Sequence, residues 1–121
     1  MSAAVWIGVG LLGGVGAVLR FRLDALVERH AGGEFPLGTL TVNTVGSFAL
    51  GILTGAGVGG DALLLAGTAV LGSFTTFSTW MLETERLVED GDDAPAALNV
   101  VVSVAAGLAA ALAGWAIGAV L

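Results

Sequence analysis

Gly72-Ser73-Phe74-Thr75-Thr76-Phe77-Ser78-Thr79-Trp80 is the stretch on which the fold of this chain turns. It packs five hydroxyls, a glycine and three aromatic rings into nine positions, inside a run from residue 62 to 82 that holds no charge. One or two serines or threonines in a membrane helix satisfy themselves by bonding back to carbonyls of their own helix. Five in seven positions, with a glycine and stiff β-branched threonines, predict a break instead. Broken backbone at membrane depth persists only where protein or a water-filled cavity satisfies the freed groups, so the stretch predicts ion-binding groups near the centre of a span.

Working outward, residues 3 to 19, 35 to 60 and 94 to 121 are also free of full charges. Each charge-free run is near or above the roughly 17 to 25 residues that cross a bilayer as a helix. The expected spans are about 3 to 23, 37 to 56, 62 to 88 and 95 to 120, a single membrane domain over residues 1 to 121. Pro36 opens the second span and Pro95 the fourth, as proline can in a first helical turn. The polar segment Asp24 to Glu34, the turn Gly57 to Asp61 and an acidic loop around Gly91 join them, which predicts an up-down-up-down all-α bundle.

Composition agrees: 56% hydrophobic residues against 12% charged, with a mean hydropathy of +0.97, where soluble domains carry about 25% charged residues. The N-terminal run lacks a basic leader and continues into Arg20 and Arg22 without a small-residue cleavage site, so the first span is expected to be kept. The absence of cysteine removes disulfides, thiolate metal sites and Cys nucleophiles. Net charge is −6 without a lysine, and the acids gather at Glu89, Asp90, Asp92 and Asp93, which argues against nucleic acid. No soluble segment remains to build an enzyme site, and the single His30 stands in the polar segment with no nucleophile arranged near it.

The pairs Gly10/Gly14, Gly51/Gly55 and Gly114/Gly118 have GxxxG spacing and are expected at helix contact faces, since lipid supplies no hydrophobic push between helices. Gly8-Val9-Gly10-Leu11-Leu12-Gly13 matches a dinucleotide-binding pattern, but it lies within an apolar span with no strand before it, and a nucleotide site is rejected. Thr39, Asn43 and Ser47 share one face of the second span, and Asn99 and Ser103 one face of the fourth. These positions offer hydroxyl and amide donors without a deep lysine or arginine, an environment suited to conduction, which needs sites weak enough to leave. Asn43 fits equally a bond between helices or a donor into a pore.

At this point the residues resemble a family. Gly13-Gly14-x-Gly16-Ala17-x-x-Arg20-Phe21, Phe35-Pro36-x-Gly38-Thr39-Leu40-x-Val42-Asn43-x-x-Gly46-Ser47-Phe48 and Gly72-x-x-Thr75-Thr76-Phe77-Ser78-Thr79-x-x-x-Glu83 closely resemble the Fluc/CrcB fluoride channels. The resemblance implies an antiparallel dual-topology dimer around two fluoride pores, with a structural sodium ion at the breaks of the third helices. It implies further that Asn43 lines the pore and that Phe77 faces fluoride with its positive ring edge. Gly72 and Thr75 match carbonyl ligands of the sodium, Ser78 and Thr79 match hydroxyls near the pore, and Arg20 and Glu83 match polar positions at span ends. Ser103 is expected on the same pore. Trp80 departs from the pattern by standing where the family has a second phenylalanine, and Gly107 and Ala111 leave the fourth span without further polar residues.

The expected function is passive fluoride export through the cell membrane, with fluoride and lipid as partners. A small proton-coupled multidrug exporter would need a membrane-embedded carboxylate, and residues 3 to 19 have none. The other rival is a non-conducting subunit of a membrane complex. Arg20, Arg22, Arg29 and Arg86 all fall at one side of a four-span chain and none at the other. Positive residues prefer the cytoplasm, so the termini are expected outside, and the native pair is expected to be a homodimer or a heterodimer with an oppositely oriented homologue.

Overall fold

A computed structural model describes residues 1–121 as helices joined by short turns. Helix α1, Ala3–Ala31, starts where the Ser2 hydroxyl accepts from the Val5 amide at 3.2 Å and stops at Gly32, whose φ of 63° few other residues adopt. It therefore runs well past Leu23, the end expected from hydropathy. The polar residues from Asp24 onward mark where the apolar face ends, while their backbone stays helical.

Helix α2, Leu37–Gly55, follows Pro36, and a short turn leads to the third segment, Gly60–Glu89. That segment is not one regular helix. One turn of α3, Gly60–Leu63, passes into a π-wound stretch, Leu64–Leu71, in which the Gly72 amide reaches back five residues to the Gly67 carbonyl. Then come the short α4, Gly72–Phe74, an interruption, and α5, Ser78–Glu89. Helix α6, Asp93–Gly118, completes the chain. Four helical segments are long and apolar enough to cross a membrane.

Neighbouring residues fix the directions. Asn43 meets Thr76 and Thr39 meets Glu83, so α2 runs against the third segment. Asn99 meets both Trp80 and Thr84, which sets α6 against α5. The start of α2, the end of α1 and the end of α5 thus share one end of the bundle, and with them the arginines.

The tightest joint is between α2 and α6. A Cβ on Gly114 would fall far inside van der Waals contact with the Phe48 carbonyl, and one on Gly118 would collide with that of Ile52. Gly51 and Gly55 meet the Ala111 and Trp115 carbonyls of α6 in the same way. Two of the three GxxxG pairs therefore pack against each other's helix. Gly10 and Gly14 do not: nothing in the chain lies within 4 Å of a Cβ at either, and Gly16 instead presses on Val70 and Ser73 of the third segment. Large apolar side chains such as Trp6, Leu11, Phe21, Leu112 and Trp115 are exposed, and few residues are fully buried. In a bundle so thin, packing is set by glycine backbones more than by a side-chain core.

Candidate functional site

The interruption after Phe74 is the centre of the site. Thr75 is extended, with φ −86° and ψ 163°, and regular bonding resumes only at Ser78. Asn43 of α2 repairs part of the gap: its Nδ2 donates to the Thr76 carbonyl and its Oδ1 accepts from the Thr76 amide, each at 2.8 Å. The Thr79 amide donates to the Thr76 hydroxyl at 3.2 Å. Outside the regular helices, the backbone bonds leave the carbonyls of Gly72 and Thr75 without a donor. An orphan carbonyl costs free energy in a nonpolar surrounding, about 1–3 kcal/mol by mutational measures, so these two are available for a cation or a polar partner.

A groove of about 710 Å³ opens from this point between α2, the third segment and α6. Among the predicted site residues, Asn43, Gly72, Thr75, Phe77, Trp80 and Ser103 all border it. Phe77 is 69% exposed there and meets Trp80 edge to face, ring centres 5.6 Å apart and planes at 84°. The Trp80 indole N–H donates to the Asn99 carbonyl at 3.1 Å, so the extra donor of this departure is spent on α6. Asn99 is buried and donates to the Thr84 hydroxyl at 2.8 Å. Its role is to join α5 to α6, while Ser103, one turn on, faces the groove.

Ser78 and Thr79 are placed differently. Ser78 is exposed outside the groove, and Thr79 accepts from Thr76 at 3.1 Å and faces a smaller cavity of about 210 Å³. Arg20, Asp24 and Thr39 border that cavity too. The Arg20 Nε is buried without a hydrogen-bond partner. Glu83 lies within α5, and the buried Thr39 hydroxyl donates to its carboxylate. Glu28 accepts from the Gly38 amide at 2.8 Å, giving the N-terminus of α2 a cap that Pro36 cannot supply.

Thr54 and Thr68 also border the groove and were not expected there. Asn43, Ser47, Leu50 and Thr54 recur at steps of three or four, and Thr68 stands four residues before Gly72, so helical spacing from known positions was the available signal.

The family described as "CrcB-like protein, Camphor Resistance (CrcB)" matches residues 7–115. A protein of Mycolicibacterium paratuberculosis named "Fluoride-specific ion channel FluC 2" is 56% identical over 113 residues, which cover 93% of each chain. Proteins of the same name from Mycobacterium bovis and Haloarcula marismortui are 54% and 52% identical, over 94% and 90% of this chain and 90% and 89% of their own.

Proposed function

Because this chain belongs to the CrcB-like family, we propose that it is a fluoride-specific ion channel, a multi-pass protein that lets fluoride leave the cell passively. The observation that carries this reading is the identity above one half, over nine-tenths of the chain, to relatives named as fluoride-specific ion channels. No catalytic step is involved, and the exporter reading finds no support.

The groove suits the ion. Fluoride must give up water to enter, and donors held by the fold replace it without a fixed cation to trap it. Phe77 offers a positive ring edge, which attracts an anion without the binding strength of an ammonium group. Hydroxyls such as that of Ser103 continue the lining.

The resemblance also assigns a structural sodium, and the donor set fits. The carbonyls of Gly72 and Thr75 lack hydrogen bonds, are hard oxygens, and carry no net charge. Two chains would offer four such oxygens. The cation's contribution is positive charge at the break, and it is not transported. The exposed groove residues fit a second copy in an antiparallel dimer, as a homodimer or with an oppositely oriented homologue, and the break would then lie near the membrane centre.

Liposomes containing only the purified chain should release fluoride rapidly to a fluoride electrode and chloride at least about 100-fold more slowly, the ratio expected when two charge-assisted contacts discriminate. Equal fluxes would sink the reading. Orientation is checked separately by C-terminal reporters active only inside or only outside. The arginine distribution predicts the outside signal, and equal signals would make the dual-topology homodimer the native form.

A further inference from the structure

Most hydroxyls in the spans are already spent. Thr41, Thr54, Ser73, Thr75 and Thr84 each donate to a carbonyl one turn back on their own segment. Thr39 donates to Glu83, and Thr76 to Thr79. Thr44, Ser47, Thr68 and Ser103 make no side-chain hydrogen bond within the chain, and the last three border the groove. A hydroxyl in an apolar span normally bonds to its own backbone, so three free ones around one groove, one from each element that lines it, point to a ligand that supplies an acceptor.

Their order along the groove matters. Ser103 lies near the aromatic pair, but beyond it α6 offers only Val104, Gly107, Leu108 and Ala111. On the facing side, Ser47 lies one turn past Asn43, and its Oγ would stand 3.7 Å from a Cβ on Gly107. Thr68 is exposed one turn before Gly72, on the π-wound stretch, which Gly67 brings close to Leu50. Thr54 lies further along, with its hydroxyl taken by the Leu50 and Gly51 carbonyls.

We propose that Ser47 and Thr68 are ion-contacting hydroxyls, donors that carry fluoride through the half of the groove where α6 has none. The proposal rests on the fluoride-channel reading and adds to it two residues and the segment that presents them. Each O–H can rotate toward a passing anion without breaking an existing bond, which keeps the station weak enough for exit.

The test compares fluoride efflux from liposomes for the unaltered chain, Thr68→Val, Thr68→Ser, Ser47→Ala and Thr44→Val, each with the same elution on sizing. Valine matches threonine in shape but lacks the donor, so Thr68→Val is expected to slow efflux roughly tenfold to hundredfold, the cost of one lost bond to a charged group. Ser47→Ala should slow it similarly. Thr68→Ser keeps the donor and should stay within about threefold of the unaltered chain. Thr44 does not border the groove, and Thr44→Val should leave efflux unchanged. Normal flux in Thr68→Val, or equal losses in Thr68→Val and Thr68→Ser, would overturn the assignment. An unaltered chain that passes no fluoride would instead overturn the channel reading beneath it.

Discussion

Phe77→Ile is expected to cut fluoride efflux from liposomes by roughly 30-fold to 100-fold, while the protein still elutes as the unaltered chain does. Isoleucine retains most of the apolar volume but has no ring edge. A contact to an ion is worth about 2–3 kcal/mol, and each 1.4 kcal/mol is a factor of ten in rate. Phe77 is well placed for the experiment because it is largely exposed and holds no element in place except through its edge contact with Trp80. A loss of folding would therefore be a poor explanation for lost flux. Trp80→Phe provides the counterpart: it should weaken the α5–α6 joint, because the indole bond to Asn99 disappears, yet leave fluoride flux within about threefold. Normal flux in Phe77→Ile would remove the ring from the path.

The second large effect is on stability. Gly114→Ala places a methyl group against the Phe48 carbonyl, and no side chain can rotate aside because the obstacle is backbone. Helices α2 and α6 must separate along their glycine joint. Overpacking costs about 1–3 kcal/mol, partly offset by the roughly 1 kcal/mol that alanine gains over glycine inside a helix. The net loss is expected near 1 kcal/mol at that site and at most about 2, with Gly118→Ala adding to it. Gly10→Ala is the comparison, since open space surrounds that position and only the helix gain remains. Unfolding in increasing fractions of a denaturing detergent, followed by tryptophan fluorescence at the Trp115 joint, should order the variants Gly10→Ala, unaltered, Gly114→Ala from most to least stable. Equal midpoints for all three would show that the joint yields without cost.

Much of this architecture was legible in the sequence because a bilayer imposes a simple rule: charge-free runs long enough to span it become helices. The backbone is irregular between Phe74 and Ser78, within the hydroxyl stretch, and Asn43, Phe77, Trp80 and Ser103 border one groove. Hydropathy could not place the end of α1, because apolar character stops at the membrane surface and helical hydrogen bonding does not. Spacing alone could not tell the working GxxxG pairs from Gly10/Gly14, since a small residue permits close approach without specifying a neighbour. Asn43 was equally readable as a tie or as a pore donor. In this chain it ties Thr76 at both ends of its amide, and its second Nδ2 hydrogen is left over for the groove. Arg20 and Glu83 read only as polar positions at span ends, because the Thr39 bond to Glu83 and the small cavity that Arg20 borders are tertiary contacts no local spacing reveals.

Leu64–Leu71 bears on how the length of this gene can drift. Where the backbone bonds five residues back, each turn holds more chain than an ordinary helical turn does. Deleting one residue there lets the turns close on the tighter four-residue pattern, so Gly72 and everything after it keep their facing. The same deletion inside α6 would swing all later positions by about 100° and pull Gly118 away from Ile52. A lineage can shorten this stretch by one codon and remain in frame with its own architecture, which makes the wide turn a slack loop in an otherwise inextensible rope.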